Sequence, residues 1–207
     1  PNIMEKKLWV YLIIFFAVAI WSGIQPYETG LWFLEAGMCI VGVAILALTY
    51  KRFKFTTLTY TIILIHLIVL FIGAHYSYAK VPLFDWIKEW CGSDRNNYDK
   101  VGHFMQGFGP AFIARELLIR LNVIRKRSWL PFLVVSICLA ISAFYELIEW
   151  WVAVLSNDGA EDFLGMQGYE WDTQSDMLCA MIGAITMLVF FSKWQDKQMK
   201  ALERTDD

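Results

Sequence analysis

Charge is what this sequence has little of. Only 18% of its 207 residues are Asp, Glu, Lys or Arg, where soluble domains carry about 25%. Hydrophobic residues make up 57% and aromatic residues 16%, an excess that calls for a solvent other than water. The net charge of -2 leaves no basic surplus, which excludes the electrostatic footprint of a nucleic-acid binder. Cysteine is sparse. The four residues Cys39, Cys91, Cys138 and Cys179 form no CxxC pair, so neither a disulfide framework nor a zinc ribbon is indicated. Also missing are GxSxG, HExxH, a Walker loop and GxGxxG, as well as any internal repeat. One domain over residues 1–207 is enough.

What is present is a series of apolar runs. A membrane helix needs about 20 mostly apolar residues at about 1.5 Å rise each. Six spans meet or approach this, at about 8–24, 31–50, 58–75, 101–121, 129–155 and 172–191. The expected fold is therefore an all-α, polytopic six-helix transmembrane bundle. Ala17-Val18-Ala19 resembles a signal-peptidase site, but Ile20, Trp21 and Ser22 continue the apolar run, so the first segment reads as a retained helix. Residues 101–121 contain His103, Gln106, Pro110, Arg115 and Glu116. Alone they would pass for an amphipathic helix, and the charges of the flanking loops make them a crossing.

Those charges follow the positive-inside pattern. Thirteen of the eighteen Lys and Arg residues fall before the first span, in the 51–54 and 120–127 loops, or in the tail from Lys193. The alternate loops hold four, and Arg115 lies inside a span. This places both termini on the cytoplasmic side of the membrane. Between the third and fourth spans, Leu83, Phe84, Ile87, Trp90 and Cys91 share one helical face and Asp85, Lys88 and Glu89 the other. A short helix lying in the outer interface is expected there, with Trp86 and Trp90 at headgroup depth; an ordinary ordered loop is the plain alternative.

With this topology the unusual polar residues sort by depth. His75 closes the third span; Asp99 and His103 open the fourth; Glu146 and Glu149 lie toward the outer end of the fifth; Asp172 and Asp176 open the sixth. Spacings of i, i+3 or i, i+4 put each pair on one helix face. Ionised carboxylates in a bilayer are costly unless paired, protonated or metal-bound, and only Lys100 stands out as a nearby cation. A divalent ion would resolve the deficit. Carboxylate with imidazole suits Zn, Mn or Fe, and an all-oxygen subset suits Mg. The candidate ligands are His103, Glu146, Glu149, Asp172 and Asp176, with Asp99 orienting His103 and Glu149 or Asp99 as the acid–base group. His75, Gln106 and Gln167 are possible additions. The plain readings make Asp99 and Asp172 helix N-caps and pair His103 with Asp99. His66 and Glu35, without evident partners, read as packing residues.

Three segments, Asp99-Lys100-Val101-Gly102-His103-Phe104, Phe144-Tyr145-Glu146-Leu147-Ile148-Glu149-Trp150 and Trp171-Asp172-Thr173-Gln174-Ser175-Asp176-Met177, resemble those of the YjdF-like bacterial inner-membrane proteins, a family of unknown function. Their order is more distantly similar to VanZ-like proteins of teicoplanin resistance. That resemblance carries over Asp99, Lys100, His103, Glu146 and Asp176, with Glu149 standing where the VanZ-like pattern has Gln. It implies a fold and a site but no reaction. The leading expectation is a metal-dependent hydrolase or transferase acting on an outer-leaflet lipid or lipid-linked envelope precursor. The alternatives are a small cation- or proton-coupled transporter, a lipid-translocating protein, or a non-catalytic envelope ligand-binding protein.

Overall fold

The structure, a computed structural model, describes residues 3–155 and 169–206. Among these residues every regular element is helical. In chain order they are α1 (Ile3–Gly23), α2 (Thr29–Thr49), α3 (Thr57–Tyr76), α4 (Pro82–Cys91), α5 (Tyr98–Arg120), a single 3-10 turn (Arg127–Trp129), α6 (Leu130–Leu155), α7 (Asp172–Thr186) and α8 (Ser192–Asp206). Local chemistry explains several boundaries. Thr56 caps α3 by accepting from the Thr59 amide, and Ser77 ends it in the left-handed region at φ 56°. Pro82 opens α4, where its missing N–H costs nothing, and Gly92 closes it at φ 64°.

Five helices are long and apolar enough to cross a membrane: α1, α2, α3, α6 and the helix beginning at Asp172. The remaining long helix, α5, has 23 residues, about 35 Å, which is also sufficient to cross. Its polar composition follows from its place. α5 packs against α3, α6 and α7, and Gly102, Met105, Phe108, Ala111, Phe112 and Ala114 are all buried. Neighbouring helices stand where lipid would be, so α5 has no need of a lipid-like surface.

The last span differs from expectation. It does not stop near Phe191: α7 passes through one π-helical turn, Met187–Phe191, straight into α8. The charged tail is thus a rigid continuation of the span, and its polar residues reach back into the bundle. Arg115 on α5 donates to Gln195 Oε1 at 2.9 Å and Asp196 Oδ1 at 2.7 Å. Glu116, fully buried, accepts from the Thr56 amide and hydroxyl, the Thr59 hydroxyl and Arg120. This network ties α3, α5 and α8 together at the end of the bundle that carries the 51–54 and 120–127 loops.

At the opposite end, α4 packs Phe84 edge-on against Tyr98, with ring centroids 5.1 Å apart. Asn96 bonds the Val81 carbonyl and Asp85. Leu83, Trp86 and Trp90 point outward, Trp90 with 81% of its surface exposed. The apolar face of α4 is therefore divided between protein, which Phe84 meets, and the surroundings, which Leu83 and Trp90 face. Between the two ends lies an apolar core of Leu58, Ile62, Phe108, Phe112, Val134 and Met187.

Candidate metal centre at one end of the bundle

Three helix segments converge on one polar site. The first turn and a half of α5 supplies Asp99, Lys100 and His103; α6 supplies Glu146; and the start of α7 supplies Asp172 and Asp176. Close approach of α5 and α7 makes this possible. A Cβ at Gly107 would collide with the Ala180 carbonyl, and one at Gly183 with the Phe104 carbonyl. These glycines let the two backbones touch one to two turns below the site.

Two overlapping trios result. In the first, one donor atom each from His103, Glu146 and Asp176 lies within 4.8 Å of the others. His103 Nε2 is 3.6 Å from Asp176 Oδ1, and Nδ1 is 3.8 Å from Glu146 Oε1. Those separations are too long for hydrogen bonds. The Nε2–Asp176 separation is near the roughly 3.4 Å between two donors bound to one tetrahedral ion at about 2.1 Å each, while the Glu146 distance runs to the other ring nitrogen, which cannot bind the same ion. Thr173 hydrogen-bonds the Glu146 carboxylate, yet Glu146 Oε1 is buried with no hydrogen-bond partner among the described residues. A hard anionic oxygen held out of water beside an imidazole and a second carboxylate fits a divalent ion.

The second trio, Asp99, Asp172 and Asp176, already surrounds a cation. Lys100 Nζ stands 2.5 Å from Asp172 Oδ1, 2.7 Å from Asp176 Oδ1 and 3.7 Å from Asp99 Oδ2. Arg95, in the segment before α5, grips Asp172 with both terminal nitrogens at 2.8 and 3.0 Å and Asp99 at 2.5 Å. Burial works against its charge. The hydrogen bond to Asp172 and the nearby Asp99 and Asp176 outweigh this and hold the guanidinium above its ordinary value. Arg95 is the member that sequence reasoning missed: it stands four residues before Asp99 but ahead of the helix, where that spacing assigns no common face.

Other expected roles change. Asp99 does not orient His103, because it is engaged by Arg95; Gln106 takes that place, its Oε1 lying 3.3 Å from His103 Nδ1. With that nitrogen as donor, Nε2 faces Asp176 as the free lone pair. Neither Asp99 nor Asp172 is an N-cap. Asn97 and Trp171 hold those positions, and both aspartates sit in the first helical turn, where negative charge meets the positive end of the helix dipole. Glu149 lies outside both trios. His75 turns away from the acids, pairing with the Ser22 carbonyl at 2.9 Å and lying against Trp21. Gln167 falls outside the described residues.

Glu35 is not a lone packing residue. It is 2% exposed and accepts a hydrogen bond from Tyr145, whose ring stands edge-on to His103 at 6.2 Å. A carboxyl from α2 thereby joins the same polar layer. A separate cavity of about 300 Å³, lined by Leu12, Phe15, Leu46, Tyr60 and Leu64, lies among α1, α2 and α3. It is apolar and shares no residue with the acidic site.

Comparison with known proteins agrees with this membrane architecture. Residues 7–197 match the family described as "Predicted membrane protein (DUF2238)". The chain is 46% identical over 183 residues to the Inner membrane protein YjdF of Escherichia coli (strain K12), covering 88% of each sequence. No solved structure matches.

Proposed function

The chain belongs to the membrane-protein family DUF2238, and from that premise we propose that it is a metal-dependent enzyme of the inner membrane whose site faces the outer side. The reaction class is hydrolysis or group transfer on a lipid or lipid-linked envelope precursor. His103, Glu146 and Asp176 are the ligands. The observation that carries this reading is the buried Glu146 Oε1, without a hydrogen-bond partner among the described residues, beside an imidazole and a second carboxylate. Charge supports it. Across the two trios, Asp99, Asp172, Asp176 and Glu146 are met by Arg95 and Lys100, an excess of carboxylates among the described residues that a divalent ion would offset.

Three protein ligands leave coordination positions open, the arrangement of catalytic rather than structural sites. An ion there supplies a Lewis acid and an activated water. Glu149, one turn from Glu146 and outside both trios, is the residue assigned to acid–base work in this reading. Zn, Mn or Fe suits the mixed donor set better than Mg. The transport alternative gains nothing from the fold, since the apolar packing of Phe108, Phe112, Ala111 and Met187 separates the outer site from the Arg115–Glu116 network.

Elemental analysis of detergent-purified protein tests the metal. Wild type is expected to hold near one equivalent of Zn, Mn or Fe, and Glu146→Ala and Asp176→Ala to lose it while remaining monodisperse. Wild-type protein that stays metal-free after reloading with Zn, Mn, Fe and Mg would falsify the assignment.

A further inference from the structure

Asp176 belongs to both trios, and the two are not equivalent. The Asp99–Asp172–Asp176 seat is filled by the Lys100 ammonium, which lies within 3.7 Å of all three carboxylates. Among the described residues no such cation fills the His103–Glu146–Asp176 seat, and Glu146 Oε1 has no hydrogen-bond partner. The two cationic side chains also sit toward water: Arg95 is 25% exposed and Lys100 19%, against 7% for Glu146 and Asp176. The Tyr169 ring stands beside both, 5.4 Å from Lys100 Nζ and 5.8 Å from the Arg95 guanidinium carbon.

Resting on the metal reading above, we propose that this is a two-cation centre joined by Asp176, with a divalent ion in one seat and Lys100 as the permanent occupant of the other, and that the two, with Arg95, receive the phosphate group of an anionic ligand. Two-metal enzymes hold a phosphoryl group by placing a positive charge on each side of it. An ammonium supplies the charge of the second ion without its water chemistry, so the divalent ion alone activates the nucleophile. A phosphate has enough oxygens to reach the ion, the Lys100 ammonium and the Arg95 fork together, whereas a single carboxylate does not. The charge balance adds a condition. Four carboxylates against two fixed cations repel an anion, so phosphate binds only once the divalent ion is in place, and by linkage each raises the other's affinity.

The test uses the full chain in nanodiscs loaded with Mn²⁺, with inorganic phosphate followed by 31P NMR relaxation. Wild type is expected to bind one Mn²⁺ and to relax phosphate only when Mn²⁺ is present. Lys100→Gln and Arg95→Gln should keep the Mn²⁺ and weaken phosphate about tenfold each, the scale of one charged hydrogen bond. Lys100→Arg should restore it. Arg95 lies outside the helices, so its variant carries the test if Lys100→Gln does not fold. A short-chain phosphatidic acid that displaces phosphate at lower concentration assigns the group to a lipid headgroup; displacement only at equal concentration assigns it to a water-soluble phosphate. Wild type that holds Mn²⁺ but ignores phosphate overturns the proposal, as do variants that bind phosphate like wild type. Failure to bind Mn²⁺ at all sinks instead the metal reading beneath it.

Discussion

Glu146 and Glu149 are three residues apart on one helix, yet their environments separate them. Glu146 has an oxygen 3.8 Å from His103 with no hydrogen-bond partner among the described residues, while Glu149 contributes to neither trio. Substituting each with glutamine should therefore give opposite results. Glu146→Gln is expected to cost most of the bound metal, since an amide is a poor replacement for an anionic ligand. Glu149→Gln should retain it within about twofold while lowering turnover by about 10²-fold or more, the range of a lost general base. Metal titration of the two purified variants separates them, and equal loss in both would make Glu149 a ligand after all. Much of this site is legible in the sequence, because a His or carboxylate recurring at i, i+3 or i, i+4 near an outer helix end is a pattern that periodicity exposes. Arg95 and the Tyr145–Glu35 contact are not. Arg95 acts from a segment without periodicity, and Glu35 meets Tyr145 across 110 residues of chain, a separation that no local spacing encodes.

At the scale of elements, the pairing of α5 with α7 decides whether the site exists. Asp99, Lys100 and His103 on one helix meet Asp172 and Asp176 on the other only because Gly107 and Gly183 let the backbones close to contact. A methyl group at Gly107 meets the Ala180 backbone, not the yielding end of a side chain. Gly107→Ala is accordingly expected to cost about 1–3 kcal/mol, the range of overpacking in a tight interior, and to weaken metal binding although the residue touches no ligand. A lowered denaturation midpoint in detergent together with reduced metal retention is the expected result; a midpoint equal to wild type would mean that the helices can part without loss. Glycines at 102, 107 and 109 mark close packing in the sequence, but they do not name the partner. The polar composition of α5 is similarly ambiguous until its place among α3, α6 and α7 shows that protein, not lipid, surrounds it.

For the whole molecule, the two polar layers define its polarity across the membrane. The Glu116–Arg115–Gln195 network lies at the end that carries the lysine- and arginine-rich loops, and the acidic site lies at the other, with an apolar core between. Loop charge is the argument for putting the basic end in the cytoplasm; alternate connections fall at opposite ends whichever way the bundle faces. Cys91 offers a direct measurement. It closes α4 beside the outward-pointing Trp90 and is exposed, whereas Cys39 and Cys138 are buried. A membrane-impermeant maleimide added to intact spheroplasts should label Cys91, and Cys91→Ser should abolish most of that labelling. A cysteine placed at Arg125 in the Cys91→Ser background should react only after the membrane is opened. Because α4 and the acidic site share one end of the bundle, the reversed pattern would turn the site toward the cytoplasm. The metal-centre geometry would survive that result, but an outer-leaflet lipid as its substrate would not.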